Sequence, residues 1–299
     1  AVTTMKDDNL NASLSFQYRA GKCRLSSQPA HQTHYRIYAA PIDGDFSPFD
    51  IVTIINDYGK DWNNVKVFTQ EFKFTSPAST SSPLKWTAGT YMFYQDNPVK
   101  QATRFGEDAG FYGIPDTNFS TINTTQGKSS GIAFFGQATY AVADNFDLTA
   151  GLRYDYERKE QSVLGEYQHD PDPNPIFETV PDTSATATYS ALSPKVTAAY
   201  HLTDHNTLFA SYSRGYRAGG MTQLSSDPSQ PPLYAYKPEF SNNIEVGSKN
   251  MFLENRLQLN LSLFYVKVVD AQVPTLVLPD AVTITKNAGE LTSMGVDLH

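Results

Sequence analysis

The stretch from Ile132 to Glu157, IAFFGQATYAVADNFDLTAGLRYDYE, decides the fold because it predicts two long β-strands joined by a very short turn. From Phe146 onward, apolar and polar side chains alternate without a slip, which is the period of a strand with two different faces. One face carries the apolar set Phe146, Leu148, Ala150, Leu152, Tyr154 and Tyr156. The other face carries Asp147, Thr149, Gly151, Arg153, Asp155 and Glu157.

The length of this alternation indicates a membrane strand. Strands of soluble sheets are usually about 5–6 residues long, whereas a tilted strand that crosses a bilayer needs about 9–11. The apolar face ends in Tyr154 and Tyr156, where an aromatic belt at a membrane interface would lie, and the opposite face carries charges that lipid would not tolerate. The stretch therefore predicts an all-β protein, an antiparallel transmembrane β-barrel with lipid outside and water inside.

Composition limits the alternatives. The chain has 299 residues, 40% of them hydrophobic, and no run of 18 apolar residues, so no transmembrane helix is predicted. The net charge of -8 argues against a nucleic-acid partner, which would call for a basic surface. Cys23 is the single cysteine, which excludes an intrachain disulfide and a four-thiolate metal site. The aromatic content of 13% suits a barrel with aromatic girdles, but it would equally suit a soluble β-sandwich.

Outward from the central stretch, alternating segments predict further strands and the segments between them predict loops. Residues 1–64 are weakly patterned, whereas residues 65–299 are well patterned. The predicted strands are Leu10–Tyr18, Cys23–Tyr38, Val65–Phe74, Lys85–Tyr94, Leu192–Tyr200, Thr207–Arg217, Phe240–Lys249, Arg256–Asp270 and Val282–His299. The predicted loops are Asp43–Gly59, Gln95–Ser129, Lys159–Tyr189, Ala218–Pro238 and Pro274–Pro279. The prolines of HDPDPNP argue against helix or central strand in the third of these loops.

Short and long connections alternate along the chain, which assigns a side of the membrane to each. Short turns near Ser79, Asp144, Asp204 and Leu253 are predicted to face the periplasm. Loops around Phe111, Asp172, Ser226 and Leu278 are predicted to face outward. The pattern gives about eleven strands, and the last stops in mid-alternation. Because an unpaired strand edge in lipid costs several kcal/mol per backbone group, the chain is expected to be part of a larger barrel.

Several strings resemble TonB-dependent outer-membrane receptors, the importers of ferric siderophores and related nutrients. They are GQATYAVADNFDLTAGLRY from Gly136, LSPKVTAAYHLTDHNTLFASYSRGYRAGG from Leu192, YKPEFSNNIEVGSKN from Tyr236, LNLSLFYVKVVDAQV from Leu259 and NAGELTSMGVDL from Asn287. Upstream, TQEFKFTSP and WTAGTYMFY are similar to early barrel strands of that family. The order of YKPE, E-x-G-x-K, an alternating strand and NAG with a following G-V is specific to it.

The resemblance implies an outer-membrane barrel of about 22 strands. In this family an amino-terminal plug with a short TonB-binding box fills the barrel, and TonB drives uptake of a ferric siderophore or similar scarce nutrient. Outer-membrane lipid, the TonB complex and an iron chelate are the implied partners. Neither plug nor box is visible in the sequence, and strands that follow NAG…GV in the family are missing, so a partial barrel without a plug is expected.

Two other classes remain as alternatives. A passive porin or a structural barrel such as an adhesin would show the same strand pattern. An enzyme built on a β-sandwich would need a convergent acid/base or nucleophile set, and no such set is evident, so the chain is not expected to be an enzyme. GKSSG from Gly127 is followed by a predicted strand rather than the helix that a nucleophile elbow requires.

Candidate ligand-binding residues cluster at the predicted extracellular ends. Arginines in SRGYRAGG would suit a carboxylate- or catecholate-bearing iron chelate, which guanidinium groups bind in bidentate geometry. The favoured alternative is that they pair with carboxylates of the lumen, because charges in a lumen usually pair. Aromatics in the Gln95–Ser129 loop would stack on an organic chelate, or pack against a neighbouring loop. The candidates are Arg104, Phe105, Phe111, Tyr112, Arg214, Tyr216 and Arg217.

No cofactor is predicted, and one calcium motif needs comment. DPDPN, from Asp170 to Asn174, has the oxygen spacing that opens a calcium loop. Pro175 stands where an EF-hand needs glycine and Pro181 where it needs the bidentate glutamate, so an EF-hand is excluded. A looser calcium site and a rigid solvated loop are the remaining interpretations. His201 and His205 flank a predicted turn rather than sharing a helix face, so no metal site is predicted there.

Overall fold

The computed structural model describes residues 4–21, 23–59, 62–77, 82–225, 227, 229, 231–254, 256–278 and 280–299. In chain order its strands are β1 Met5–Ser13, β2 Phe16–Ala20, β3 Cys23–Tyr38, β4 Ile42–Asp43, β5 Val52–Asn56, β6 Asn64–Thr75, β7 Leu84–Phe105, β8 Phe119–Ala143, β9 Phe146–His169, β10 Phe177–Thr203, β11 Asn206–Arg217, β12 Gly220–Met221, β13 Ala235–Tyr236, β14 Glu239–Phe252, β15 Leu257–Val269, β16 Gln272–Val277, β17 Val282–Asn287 and β18 Leu291–Leu298. A short 3₁₀ helix, Ala109–Tyr112, lies between β7 and β8. No helix among the described residues is long and apolar enough to cross a membrane.

One antiparallel sheet forms the wall of the molecule. Its main path has eleven strands in the order β1-β3-β6-β7-β8-β9-β10-β11-β14-β15-β18, so each strand pairs with the next long strand of the chain. Within the described residues, β1 pairs only with β3 and β18 only with β15, which leaves the barrel partial and open. The all-β, up-and-down architecture and the strand number that the sequence predicts are confirmed.

The predicted central hairpin is β8 and β9. They pair from Phe119 opposite His169 down to Ala143 opposite Phe146, and only Asp144 and Asn145 form the turn. Leu152 is 50% exposed, whereas Asp155 on the opposite face is 9% exposed. An exposed apolar band of this extent suits lipid contact, and the inward face holds the charges.

Strands β7 to β10 extend far beyond the membrane. They have 22, 25, 24 and 27 residues, and about 9–11 are enough to cross a bilayer. The predicted loops over residues 95–129 and 159–189 are therefore wrong in large part, because only residues 106–118 and 170–176 connect the strands. Pro181 lies in β10 at a shift in the pairing between Val180 and Thr183, where a missing N–H group is tolerated.

Other predicted boundaries also need correction. The predicted loop Asp43–Gly59 contains β5, which pairs with the outer end of β7 from Val52 opposite Phe105. The predicted loop Pro274–Pro279 is largely strand, because β16 and β17 form a hairpin. Two predicted strands each contain a turn and are therefore two strands in the structure. Leu10–Tyr18 is divided between β1 and β2, and Val282–His299 is divided between β17 and β18.

The turns at Asp144, Asp204 and Leu253 lie at one end of the sheet and are short, as predicted. The predicted turn at Ser79 and loop centre at Ser226 lie outside the described residues.

Candidate ligand-binding lumen and mouth

A cavity of about 550 Å³ lies along the inner face of the wall, at the outer ends of the membrane strands. Strands β6 to β11 all contribute to it. Its lining residues are Val67, Thr69, Tyr91, Phe93, Gln95, Ile132, Ala133, Arg153, Asp155, Tyr156, Glu157, Ser193, Arg214, Gly215 and Tyr216.

Arg214 and Tyr216 bring two unpaired polar atoms to this cavity. The Arg214 guanidinium lies 4.2 Å from the ring centroid of Phe240, and the Tyr216 ring lies 5.6 Å from the same ring. Arg214 Nε and the Tyr216 hydroxyl are buried and have no hydrogen-bond partner among the described residues. A buried donor without an acceptor is unfavourable, so both atoms have hydrogen-bonding capacity that the described residues do not use.

Arg153 lines the same cavity but is already paired. Its guanidinium donates to both carboxylate oxygens of Asp155 at 2.7–2.9 Å and lies 5.8 Å from the ring centroid of Tyr91. The cavity thus holds one neutralised arginine, one arginine with a free donor atom and several aromatic rings. Glu157 also lines the cavity, so two arginines and two carboxylates face it together with the aromatic rings.

Arg104 and Phe105 are part of the outer wall instead. Arg104 Nε donates to Asp170 at 3.0 Å and Nη1 donates to Asp50 at 3.1 Å, and these hydrogen bonds raise the pKa of the guanidinium above its ordinary value. Phe105 stacks on Phe119 with ring centroids 4.9 Å apart. These contacts agree with the packing interpretation of both residues.

The aromatic stack continues across the outer strands. Phe119 stacks on Tyr167 at 5.1 Å, and Tyr167 stacks on Phe177 at 4.7 Å. We call these three rings and Phe105 the aromatic ladder. The Tyr167 hydroxyl donates to Asp116, and burial together with that carboxylate raises the pKa of Tyr167 to about 12.

Phe111 and Tyr112 lie at the outer rim on the 3₁₀ helix and are 70% and 61% exposed. The Phe111 ring lies 5.1 Å from that of Phe49. Arg217 ends β11 and is exposed. The seven candidate residues therefore occupy three places: the wall, the rim and the outer end of β11 with its cavity.

The last two glycines of SRGYRAGG, Gly219 and Gly220, have a steric role. A side chain at Gly219 would collide with the Tyr189 ring and the Tyr236 carbonyl, and one at Gly220 would collide with the Tyr236 hydroxyl. Tyr189 donates to the Gly220 carbonyl at 3.0 Å. The chain after β11 is thereby held folded against β10, toward the lumen.

The residues that organise the mouth, Asn287 and Gln272, have no sequence motif that predicts their role. Asn287, from NAGE, accepts from the Lys237 amide at 2.8 Å and donates to the Asp270 carbonyl at 2.7 Å. Gln272 donates to the Ala218 carbonyl at 2.9 Å. The strings YKPE and NAGE are therefore neighbours in space, which their quotation as separate motifs did not reveal.

The calcium interpretation of DPDPN finds no ligand set in the described ranges. Asp170 accepts from Arg104, and Asp172 accepts from the Asn174 amide at 3.0 Å. No group of three or more His, Cys, Asp or Glu side chains suited to a metal ion occurs in the described part of the chain.

Comparisons with known proteins agree with this architecture. The model of a family described as TonB dependent receptor-like, beta-barrel, matches residues 2–299. The metal-pseudopaline receptor CntO of Pseudomonas aeruginosa strain UCBPP-PA14 is 29% identical over 192 residues, which are 63% of this chain and 24% of that protein. The ferric-pyoverdine 358 receptor of Pseudomonas putida is 27% identical over 173 residues, 54% of this chain and 18% of that protein. The chain thus spans a quarter or less of these relatives' length.

Solved structures show the same fold. The ferric yersiniabactin uptake receptor FyuA from Yersinia pestis has a TM-score of 0.72 at 17% identity, over 98% of this chain and 39% of that chain. The siderophore receptor PiuA from Acinetobacter baumannii has a TM-score of 0.64 at 13% identity, over 98% of this chain and 44% of that chain.

Proposed function

This chain belongs to the TonB-dependent receptor β-barrel family, and on that premise we propose that it is part of a receptor that takes up a ferric siderophore or a similar scarce nutrient. The family is one of transport receptors rather than enzymes, and its barrels lie in the outer membrane of Gram-negative bacteria. In the proposed function, TonB supplies the energy through a plug domain that occupies the lumen.

The luminal cavity carries the proposal. An arginine Nε and a tyrosine hydroxyl that are buried without partners among the described residues require acceptors, and carboxylate or catecholate oxygens of a metal chelate would supply them. The rings of Tyr91 and Phe93 line the same cavity and offer stacking surface for the organic part of a chelate. Phe111 and Tyr112, exposed at the rim, would make the first contact.

The relatives support the substrate class. One is named for a metal complex of pseudopaline and another for ferric pyoverdine. For this chain we propose the shared chemistry, a metal ion held by an acidic organic chelator. The metal is cargo in this proposal and not a resident cofactor.

Uptake of radiolabelled iron chelates by cells that express the complete receptor tests the proposal. Arg214→Ala should lower uptake of the transported chelate by tenfold or more, about the loss expected for one hydrogen bond to a charged group. Arg158→Ala is the matched control, because Arg158 is 56% exposed at its side chain and is ion-paired only with Glu160 among the described residues. It should leave uptake unchanged.

A passive porin is the competing function, and the same assay separates the two. Uptake by a TonB-dependent receptor is lost in a strain without TonB, whereas diffusion through a porin continues there. Undiminished uptake without TonB would refute the proposed function.

A further inference from the structure

The hairpin of β16 and β17, from Gln272 to Asn287, reaches across the outer mouth to the opposite part of the wall. Its tip carries Asp280, which is 0% exposed. The Asp280 carboxylate accepts from the Thr103 hydroxyl at 2.8 Å, and the Asp280 carbonyl accepts from the Gln101 side chain. Thr103 and Asp280 are 177 positions apart in sequence. The hairpin therefore bridges strands β7 and β15, which are remote from each other in the sheet order.

The contact lies on the luminal face. Thr103 is ten residues beyond Phe93 in the continuous strand β7, and an even separation places both side chains on the same face. Phe93 lines the luminal cavity. On β8, Asn123 also contacts the Asp280 carboxylate, at 3.5 Å, and it is ten residues from Ala133 of the cavity wall. The tip of the hairpin is therefore bound above the cavity, to the same inner face of β7 and β8 that lines the cavity.

The base of the hairpin is fixed on the other side of the mouth. The Gln272 amide donates to Glu239 at 2.6 Å, and Gln272 Nε2 donates to the Lys237 carbonyl at 3.1 Å. Asn287, paired with Gln272 in the hairpin, bonds both backbone groups of Lys237 and the Asp270 carbonyl. The base is therefore held by backbone groups of the wall and by the Glu239 carboxylate.

The two ends of the hairpin differ in how they are attached. At the base, side-chain amides bind backbone groups of the wall strands and their connections. At the tip, the Asp280 carboxylate is bound by the uncharged side chains of Thr103, Asn123 and Ser225. Val277, Val282 and Ile284 form a buried cluster on the inner side, whereas Leu276 on the outer side is 60% exposed. Release of the tip alone would leave the base in place.

We propose that this hairpin is a strap that closes the mouth in the ligand-free protein, with a pivot at Gln272 and Asn287 and a latch at Asp280. The strap limits which solutes reach the luminal cavity by size. Opening requires that the Asp280 carboxylate leave Thr103, Asn123 and Ser225 and that its carbonyl leave Gln101. Removal of the Asp280 carboxylate or of the Thr103 hydroxyl should therefore weaken the same latch.

Thiol labelling of a cysteine in the cavity tests the strap without any knowledge of the ligand. Ser193→Cys, on the cavity wall, is introduced into the complete receptor in outer membranes, with native cysteines including Cys23 replaced by serine. Labelling rates are compared for a small maleimide and for a bulky polyethylene-glycol maleimide. We expect Asp280→Ala and Thr103→Val to raise the bulky reagent's rate by about tenfold, the factor for one hydrogen bond to a charged group.

Two controls keep the result specific. Leu276→Ala lies on the exposed side of the same hairpin and should leave both rates unchanged. Thr103→Val leaves the hairpin sequence intact, so a misfolded hairpin in the Asp280 variant would not decide the outcome.

Equal bulky-reagent rates in the native protein and both latch variants would overturn the strap. Failure of the small reagent to label the native protein would also overturn it, because the cavity would then be sealed by something else. Neither result depends on TonB or on uptake, so the strap and the proposed function can fail separately.

Discussion

The same strands behave differently inside the membrane and above it. In the lower part of β8, adjacent residues have opposite environments, since Ala133 is 1% exposed and Phe134 is 55% exposed. In its upper part, Ile122 and Thr125 lie on opposite faces and are 1% and 6% exposed. Lipid on one side imposes an apolar face, whereas the upper wall is covered on both faces by loops and by the strap. The environment, rather than the strand itself, sets the sequence pattern.

Loss of a ring from the aromatic ladder should have the largest effect on stability. This loss of stability should be confined to the upper wall. Phe119→Ala removes a side chain that is 8% exposed and stacked on two rings. We expect a local loss of about 3–5 kcal/mol, the range for large-to-small changes of buried phenylalanine. Hydrogen exchange of the outer ends of β7 to β10 would measure it.

Phe111→Ala is the matched control for the ladder, because Phe111 is 70% exposed and should change exchange little. An equal rise in exchange throughout the membrane part of β8 and β9 would contradict the separation of the two regions.

A charge on the lipid face should affect the membrane part instead. Leu152→Arg places a cation at an exposed position of the apolar band, and we expect it to lower the free energy of unfolding by about 2–4 kcal/mol, the range for a cation near the bilayer midplane. Glu160 is separated from Leu152 by an even number of residues on β9, so both side chains lie on the same face, and Glu160 lies beyond Tyr154 and Tyr156. Glu160→Arg should therefore lower the free energy of unfolding much less. Denaturant unfolding in lipid vesicles compares the two, and equal losses would argue against the assigned membrane boundary.

Removal of the Arg104 charge should loosen the outer loops without affecting the membrane strands. Arg104→Gln leaves Asp50 and Asp170 without their cation, and because all three side chains are partly exposed we expect only about 1–2 kcal/mol. Limited proteolysis should cut near Asp50 and Asp170 faster. Arg158→Gln serves as control, and an equal effect there would show that the ion pairs of Arg104 have no special role.

The smallest expected effect concerns the titration of Tyr167. Its pKa is raised from 10.0 to about 12 by burial and by Asp116. This raised pKa contributes stability that is present below pH 10.0 and is lost as the pH rises through about 12. The phenolate absorbance difference between the native protein and Tyr167→Phe should therefore show a midpoint near the upper value, and a midpoint near 10.0 would contradict the hydrogen bond to Asp116.

Sequence patterning predicted most of the membrane wall and little of the mouth. The lower parts of β8 and β9 were evident because lipid and water select opposite side chains at alternate positions. The sequence of the outer parts, such as Gln95–Phe105, predicts a loop because both faces of the strand contact protein there and apolar and polar residues no longer alternate. Of the candidate residues, Arg214 and Tyr216 do line the cavity, whereas Arg104 and Phe105 are packed in the wall.

The sequence by itself determined the antiparallel barrel and its approximate strand number, because these depend on local alternation along each strand. Only the tertiary structure decided which distant residues meet. Asp280 with Thr103, Asn287 with Lys237, and Arg104 with Asp50 are contacts between segments far apart in the chain. Such contacts depend on the curvature of the sheet and the paths of the outer loops, and no local pattern in the sequence encodes either.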